Sequence, residues 1–525
     1  MKVNTFLIAL IWILISIGWM NTGFASAMTD DTLVLADSSE FTSVDPQRAG
    51  GGFGAYVIYV YGTLIEASNT NYKMTPSLAE SWEMVDAKTW KFKIRQGVTF
   101  QNGMPFSVHD VEYSIQRQLG KIDPKFRGKN RATYSRLIES VEVPDETTLI
   151  IKTKYPDASF LDAIRWIFIV PKAHVEKVGH GGLQKHPIGT GSLQLIKRSI
   201  GQSITMKANP NFWNNPAIKG TRGPMRVKKV VVRTIPQEQT RVAALRTGEI
   251  HATEVGPDTA RALAGHPHIN LHYTAKNQPL FIMYNWRPAK KRNRRKAKKT
   301  VPNPFRDKRV RQALIHAIDV DSLIKNYGTG REYRTTLIGK GGIGYNPDVP
   351  FYEFNPEIAR QLLADAGYPN GFDTKFYVSQ DMPPFMGAIN QYLRDVGVRA
   401  KMRPATQAVA MRKMYTKRLD GMLIWGAGLG GPDPAANWLK TCVSYDGFWA
   451  LHGKDARVES LIKQQAAEFD VEKRSHLIHQ ITQILWKDAW FVPLWEPAYV
   501  QAVRKEWKYE KAPVMRSVYL PGFSK

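Results

Sequence analysis

The chain has 525 residues, is 43% hydrophobic and carries a formal net charge of +27 at pH 7. This length is too great for one hydrophobic core and predicts at least two lobes. The only cysteine, Cys442, excludes an internal disulfide, so packing of the apolar core must supply the stability.

The N-terminal segment has the pattern of a secretory signal peptide. Lys2 precedes the apolar run FLIALIWILISIGWM, and Ala25 and Ala27 then have the small-x-small spacing of a cleavage site. We expect cleavage after Ala27. The alternative is an uncleaved anchor, but the run is only about three-quarters of the roughly twenty residues that span a bilayer. No cysteine lies at the cleavage site, so we expect no lipid anchor and a periplasmic protein.

The first predicted elements alternate between strands and a helix. TLVLAD, residues 32–37, is a predicted strand, and KTWKFKIRQGVTF has the period of two that is typical of a half-buried strand. Its alternating apolar residues are Trp90, Phe92 and Ile94. Ser107, with Asp110 three residues on, has the spacing of a capping box. It predicts an amphipathic helix whose apolar face carries Val111, Ile115 and Leu119.

Further helices follow in the second half of the chain. RDKRVRQALIHAI predicts a helix with its basic residues on the outer face. The inner face carries Val310, Ala313, Leu314 and Ala317. In NPEIARQLLADAGYPNGF, Asn355 is the predicted N-cap, Pro356 the first helical residue and Gly367 the stop. Its predicted inward residues are Ile358, Leu362 and Leu363.

Two more predicted helices, in DARVESLIKQQAAEF and VEKRSHLIHQITQILWKDA, precede the strand-like WFVPLWEPAYVQAV. The interleaving of strands and helices indicates an α/β or α+β protein with mixed sheets.

A basic run, RPAKKRNRRKAKK, carries nine Lys and Arg residues between Arg287 and Lys299. An exported protein has little use for nucleic-acid contact, so we expect no nucleic-acid partner. Like charges repel and disfavour compact structure, which favours a solvated surface insertion. Contact with anionic lipid headgroups or an acidic ligand is the functional alternative.

The glycine-rich stretch WGAGLGGPDP spells G-x-G-x-x-G with Gly426, Gly428 and Gly431, after the apolar, strand-like run GMLIW. A loop with this pattern can bind a dinucleotide where a helix is already under way after the third glycine. Here Pro432 and Pro434 follow directly, and proline disrupts a helix that is already under way. We therefore expect no nucleotide and no other cofactor.

Signatures of enzymes and metal sites are also missing from the sequence. It has no G-x-S-x-G elbow and no H-E-x-x-H metal motif. Its two histidine clusters are His266, His268 and His272 in one and His476 and His479 in the other. We expect these histidines to be structural or surface residues and the carboxylates of Asp45, Glu80 and Asp110 to act as local caps. We also expect the protein not to be an enzyme.

One long stretch carries a family resemblance. PSLAESWEMVDAKTWKFKIRQGVTFQNGMPFSVHDVEYS, residues 76–114, resembles the family 5 extracellular solute-binding proteins, the peptide, opine and nickel binders of ABC importers. The blocks ANPNFWNNP, IPQEQTRVAALRTGEIHATE, FRDKRVRQALIHAIDVDSLI and ARQLLADAGYPNGF resemble later parts of that family in the same order. The resemblance implies an α/β clamshell of two lobes with mixed sheets, and an extra subdomain inserted in the first lobe.

The resemblance also implies domain boundaries. After the signal peptide at 1–27, the first lobe would contain 28–70, 185–276 and 492–525, with the inserted subdomain at 71–184. The second lobe would contain 277–491, including the basic insertion at 287–300, which the family pattern lacks.

By the same resemblance, a set of residues is expected to contact the ligand. They are Glu40, Phe41, Tyr284, Asn285, Gln380, Asp381, Trp425, Gly426, Ala427, Gly428 and Asp433. In peptide-binding relatives an aspartate at or near the position of Gly428 pairs with the α-ammonium group of the ligand. Asp433 is the nearest carboxylate here. Either Asp433 replaces the missing aspartate, or the ligand has no free N-terminal amine.

Two functions of different classes remain open from the sequence. The first is the periplasmic binding component of an ABC importer, a monomer that captures a peptide or peptide-like solute and delivers it to the inner-membrane permease. The second is a periplasmic interaction protein whose basic insertion binds membrane, lipopolysaccharide or another anionic partner. Fold alone does not select the ligand.

Overall fold

The computed structural model describes most of the chain in several segments. They are residues 31–38, 43–48, 56–68, 73–123, 137–179, 181–213, 224–275, 278–287, 303–335, 337–340, 342–378, 383–426, 433, 438–447, 449–510 and 519–525. In these segments no helix combines the length and the apolar character that crossing a bilayer requires.

The strands are numbered in chain order. They are β1 Thr32–Asp37, β2 Ile65–Ala67, β3 Met74–Pro76, β4 Ala79–Asp86, β5 Thr89–Ile94, β6 Ile138–Asp145, β7 Thr148–Thr153, β8 Leu193–Ser199, β9 Ser203–Ala208, β10 Lys229–Thr234, β11 Ala252–Val255, β12 Ile269–Ala275, β13 Leu280–Tyr284, β14 Tyr333–Arg334, β15 Phe372–Val378, β16 Val398–Pro404, β17 Met422–Gly426, β18 Val492–Pro493, β19 Trp495–Glu496, β20 Ala498–Arg504, β21 Lys508–Tyr509 and β22 Phe523–Ser524.

The α-helices are numbered in the same way. They are α1 Val57–Val60, α2 Val108–Leu119, α3 Phe160–Ile164, α4 Lys172–Val178, α5 Glu238–Thr247, α6 Pro257–Leu263, α7 Lys308–His316, α8 Val320–Tyr327, α9 Pro356–Asp365, α10 Pro384–Asp395, α11 Gln407–Tyr415, α12 Ala456–Ala467 and α13 Val471–Lys487. A π-helical turn lies at Leu439–Val443.

A seven-stranded sheet in the order β12-β20-β11-β1-β10-β9-β8 forms the centre of one body, which we call the first lobe. β1 is parallel to β10 and β11, whereas β20 is antiparallel to β11 and β12. Side chains of β1 alternate between the two faces of the sheet, as the period of a strand requires. Leu33 and Leu35 enter one core, and Val34 and Ala36 enter a second core that contains residues of α5 and α6.

A four-stranded antiparallel sheet in the order β4-β5-β7-β6 forms a smaller body, which we call the subdomain. The predicted alternation of Trp90, Phe92 and Ile94 is confirmed, since all three side chains are buried. The predicted capping box is also confirmed. The Ser107 backbone N–H donates to the Asp110 carboxylate at 2.9 Å, at the start of α2.

A five-stranded sheet in the order β16-β15-β17-β13-β18 forms the centre of the second lobe. Alternate residues of β13 face opposite cores, because successive strand side chains point to opposite sides. Ile282 and Tyr284 pack with residues of α7, α9 and α10, while Phe281 and Met283 pack with residues of α11, α12 and α13. The second lobe is therefore a sandwich of helices, sheet and helices.

The chain passes between the two large sheets at two places. β12 belongs to the first sheet and β13, five residues later, to the second. The return passes from β18 in the second sheet to β20 in the first. Between them, β19 pairs with β14 in a separate ribbon. The two lobes are thus connected by short segments at one shared edge.

Two details of the predicted helices are wrong. The inner face of α7 is buried as predicted, but Arg311, expected on the solvated face, is only 4% exposed. Its guanidinium donates to the carbonyl oxygens of Phe305 and Ala489, which lie close in space but were invisible in the helical pattern. On α9, Leu363 is buried, but Ile358 is 36% exposed, and Ala359 occupies the core instead.

Asp45 does more than the local capping that we expected. Its carboxylate accepts the backbone N–H of Gln47 at 3.1 Å, which is a local turn. It also accepts from the Arg117 guanidinium at 2.7 and 3.2 Å, and both side chains are completely buried. This ion pair connects the segment after β1 to α2 of the subdomain.

One buried histidine predicts how stability depends on pH. The Val34 backbone N–H donates to Nδ1 of His251 at 3.0 Å, and burial lowers the pKa of His251 from 6.5 to about 4. The unfolded chain binds a proton near pH 6.5, whereas the folded chain resists it until about pH 4. The free energy of unfolding should therefore decrease as the pH is lowered from about 6.5 to about 4, by up to about 1.4 kcal/mol per pH unit.

The measurement is chemical unfolding at several pH values for the wild type and for His251→Asn. Asn keeps an acceptor for the Val34 N–H but does not titrate. The free energy of unfolding of the variant should therefore depend less steeply on pH, by the equivalent of up to one bound proton. His268→Asn, at an exposed histidine, is the matched control and should keep the wild-type slope. Equal slopes for His251→Asn and the wild type would contradict the assignment.

Candidate functional site

The carboxyl ends of the parallel strands in the first lobe lie at the edge where the chain crosses. β11 is antiparallel to β20, and Val255 pairs with Val500 near the start of β20. β1 and β10 run parallel to β11 and end at the same edge, at Asp37 and Thr234. In open α/β sheets, ligands bind outside the carboxyl ends of the strands. This edge is therefore the candidate binding edge of the first lobe.

The second lobe has a matching edge. Leu280, the first residue of β13 after the crossing, pairs with Gly426, the last residue of β17. β15 runs parallel to β17 and therefore ends on the same side, at Val378. The two carboxyl edges consequently face each other across the connecting segments. We call the space between them the cleft.

The connecting segments hold Gly426 in position. The Gln278 side chain donates from Nε2 to the carbonyl oxygen of Gly426 at 3.1 Å. The backbone N–H of Gln278 donates to the Glu496 carboxylate at 2.6 Å, and Glu496 is 1% exposed. One glutamine thus connects the return segment at β19 to the end of β17. A Cβ at Gly426 would lie 3.0 Å from the Gln278 side chain, so any larger residue displaces this contact.

Trp425 lies beside Gly426 at the cleft edge. Its ring is half-buried and packs edge to face on Trp449, with the ring centroids 5.2 Å apart. Its indole N–H is buried and meets no acceptor within the described residues. The two aromatic rings form an apolar surface beside the backbone of Gly426, which has no side chain.

Tyr284 and Asn285, expected at the ligand from the resemblance, lie away from the carboxyl edge of the second sheet. β13 begins at the cleft and runs away from it, so Tyr284 lies roughly 13 Å from Leu280 at the strand rise of about 3.3 Å per residue. The Tyr284 ring stacks on Phe305 with centroids 5.3 Å apart, and its hydroxyl donates to the Ala489 carbonyl. Burial raises the Tyr284 pKa well above its ordinary value.

Asn285 has a structural role in the same region. Its Nδ2 donates to the carbonyl oxygens of Lys417 and Leu419, at 3.1 Å each. These bonds hold the turn that precedes β17. Both residues therefore support the second lobe from the side opposite to the cleft.

The Asp433 carboxylate is engaged by an arginine of α13. Its two oxygens accept from the two terminal nitrogens of Arg474 at 2.6 and 2.7 Å, and Nε of Arg474 donates to Gln465 at 3.1 Å. Asp433 is 5% and Arg474 3% exposed. Turning Asp433 toward a ligand ammonium would leave a buried guanidinium without its counter-charge, which costs several kcal/mol. The pairing argues against Asp433 as a replacement for the missing aspartate.

The other expected contacts lie outside the described residues. They are Glu40, Phe41, Gln380, Asp381, Ala427 and Gly428. Their contact with a ligand stays a prediction.

Two buried tyrosines lie near the carboxyl edge of the first sheet, and the sequence did not single them out. The Tyr56 hydroxyl donates to Asp37 at 3.5 Å, and the Tyr499 hydroxyl donates to Gln501 at 2.7 Å. Burial, with Asp37 among the nearby negative charges, raises the pKa of both tyrosines. Both remain hydrogen-bond donors at neutral pH. Only Asp37 was visible in advance, as the last residue of a predicted strand.

The cysteine and two of the histidines singled out in the sequence pack against other parts of the protein. Burial raises the pKa of the Cys442 thiol to about 12, so the sulfur stays protonated. Within the described residues, no group of three or more His, Cys, Asp or Glu side chains could hold a metal ion. His479 contacts the Tyr345 carbonyl at 3.2 Å, and His272 packs edge to face on Tyr509.

The family model for bacterial extracellular solute-binding proteins, family 5, matches residues 73–447. The chain belongs to this family.

Individual relatives of this family-5 protein cover most of its length. Heme-binding protein A of Haemophilus influenzae is 26% identical over 480 residues, which cover 85% of this chain and 83% of that protein. Glutathione-binding protein GsiB of Salmonella paratyphi A is 24% identical and covers 89% of each chain.

A solved structure has the same architecture. The periplasmic binding protein DppA from Helicobacter pylori, in complex with the peptide STSA, superposes with a TM-score of 0.80 and 25% identity. The match covers 94% of this chain and 97% of that chain. The predicted fold is therefore confirmed: this family-5 chain is an α/β protein with the two-lobed architecture of periplasmic binding proteins. Family members are solute-binding proteins of ABC importers rather than enzymes.

The Asp433–Arg474 pair predicts a stability effect that a ligand contact would not have. Asp433→Asn should lower the free energy of unfolding by about 3–5 kcal/mol, because it leaves the buried Arg474 charge uncompensated. Asp446→Asn, at an exposed aspartate, is the control and should change it by less than about 0.5 kcal/mol. Urea unfolding measures both. Wild-type stability for Asp433→Asn would show that the pair is not structural.

Proposed function

We propose that this chain is the periplasmic binding component of an ABC importer for a peptide-like solute whose N-terminal amine is blocked or absent. A signal peptide at 1–27 directs its export, and the mature protein works as a monomer. The two carboxyl edges close on the solute and present it to the inner-membrane permease. Closure of two lobes around a ligand is the hinge motion of periplasmic binding proteins.

One observation carries the choice of ligand class. Glycine stands at position 428, where peptide-binding relatives have an aspartate, and Asp433 is paired with Arg474 at 2.6 Å. A free ammonium in a closed cleft needs a counter-charge, because an unpaired buried charge costs several kcal/mol. Trp425 instead suits apolar groups of the solute, and Asp37, at the edge of the first lobe, already accepts from the Tyr56 hydroxyl. The names of two relatives support a solute built from amino acids, as in glutathione and the peptide STSA, although both of those molecules carry a free amine.

The test is native mass spectrometry of the protein purified from the periplasm, followed by denaturation and fragmentation of the released molecule. Closed binding proteins release ligand slowly, so it survives purification. We expect a peptide-like molecule without a free amine. A peptide with a free amine would contradict the ligand class, and complete absence of any bound solute in fresh preparations would contradict the binding function.

A matched variant makes the same test with a defined probe. We expect the wild type to bind N-acetylated STSA more tightly than STSA itself, and Gly428→Asp to reverse this preference by about tenfold or more. Titration calorimetry measures the four affinities. A wild-type preference for the free amine would mean that another carboxylate supplies the counter-charge.

The basic insertion offers a second candidate function, contact with an anionic surface. The described residues beside it are anchored at the far end of β13. Asn303 donates to the Asn285 carbonyl at 2.6 Å, and Arg287 donates to the Tyr445 and Ala450 carbonyls at 3.1 Å each. The run thus leaves and rejoins the second lobe on the side opposite to Gly426. This position supports a role that is separate from the cleft.

Removal of Lys290–Lys299 should separate the two functions. Because both ends of the run are anchored away from the cleft, we expect the fraction of chains that retain the co-purified solute to stay unchanged. Binding to vesicles of anionic phospholipid should decrease and should depend on salt. A variant with serine at every basic position of this stretch controls for chain length. Loss of the retained solute in both variants would place the run in the binding site.

A further inference from the structure

The subdomain touches the second lobe through a buried ion pair. Nζ of Lys440, in the π-helical turn of the second lobe, lies 2.5 Å from Oδ2 of Asp157 and 2.8 Å from Oγ of Ser159. The Asp157 side chain is 1% exposed and that of Lys440 25%. The other oxygen of Asp157 accepts the backbone N–H and the hydroxyl of Ser159, at 3.0 and 2.6 Å. These two hydrogen bonds fix the orientation of the Asp157 carboxylate, with its second oxygen toward Lys440.

Backbone and apolar contacts surround this ion pair. The Ala158 backbone N–H donates to the Ala466 carbonyl at 2.8 Å, which connects the subdomain to the end of α12. Phe469, between α12 and α13, packs against the core of the subdomain, with its ring 6.4 Å from that of Trp90. The contact thus combines an ion pair, a backbone hydrogen bond and the packing of an aromatic side chain.

Further charges near the pair are balanced. Asp162 of the subdomain pairs with Arg165 at 2.6 Å, and burial raises the Asp162 pKa while Arg165 and Lys440 oppose the rise. The negative charge of Asp433 also acts on Asp162. Three carboxylates and three cations therefore meet at this contact. They are Asp157, Asp162, Asp433, Arg165, Lys440 and Arg474.

The cluster is also close in sequence to the end of β17 at the cleft. Gln278 contacts Gly426, the last residue of β17, and Arg474 pairs with Asp433, seven residues later. Lys440 follows after seven more residues and donates to Asp157. The lysine that bonds to the subdomain therefore lies within 14 residues of the cleft edge in the chain.

We propose that Lys440 and Asp157 form a latch that holds the second lobe against the subdomain when the cleft is closed, and so slows release of the solute. This inference rests on the proposed binding function. An exposed ion pair would contribute little. Here, loss of Lys440 leaves the buried Asp157 carboxylate without its cation. The closed form is then less stable relative to the open form.

The latch is tested by measuring the distance between the two bodies. Spin labels go on Val85→Cys of the subdomain and Val409→Cys of the second lobe, which are exposed, while the native Cys442 is buried. Pulsed dipolar spectroscopy then gives the populations of open and closed forms. Lys440→Met should raise the ratio of open to closed by about tenfold or more. Lys463→Met, at an exposed lysine of α12, should leave it unchanged.

Asp157→Asn is the second variant and should have the same effect as Lys440→Met. The double variant should be no more open than either single variant, because both remove the same interaction. Effects that simply add, or a Lys440→Met distribution equal to that of Lys463→Met, would overturn the latch.

A parallel measurement separates the latch from the proposed function. If the wild type retains a solute, Lys440→Met should release it about tenfold faster or more. If no variant carries any solute, the proposed function fails, and the distance measurement still decides whether the latch exists.

Discussion

The fold depends on one constraint, the short connections between its two main sheets. Because β12 leads into β13 and β18 and β19 lead into β20, the carboxyl edges of both sheets must lie at the same place. Gln278 reinforces this arrangement, since it bonds to Glu496 in the return connection and to Gly426 in the second lobe. Any solute at either edge is therefore near both lobes and near the hinge.

Charge placement narrows what the cleft can accept. Arg474 pairs with the carboxylate that is nearest to Gly428 in the sequence, and Lys440 points to the subdomain rather than to the cleft. Trp425 adds apolar surface at the edge of the second lobe, while Tyr56 and Tyr499 are buried and donate to Asp37 and Gln501. These features are the basis of our proposal that the solute has no free amine. The same buried charges stabilise the bodies that form the cleft.

Local patterns predicted much of this fold, because they depend on residues close in the chain. The alternation around Phe92 and the capping box at Ser107 are examples. Long-range partners could not be predicted in the same way. Arg311 is buried by carbonyl groups from another segment, and Asp433 is paired with an arginine 41 residues away. The position of Tyr284, away from the carboxyl edge, follows from the direction of β13, which sheet topology decides. The family resemblance supplied the candidate loops but not these pairings.

The binding cleft is tested most directly by a crystal structure of the mature protein with the solute that it carries from the periplasm. We expect density for the solute between the ends of β1 and β17, against Trp425 and Gly426, with the Asp433–Arg474 pair intact. Density elsewhere on the molecule, or an Asp433 carboxylate that has left Arg474 to bind the solute, would contradict this expectation.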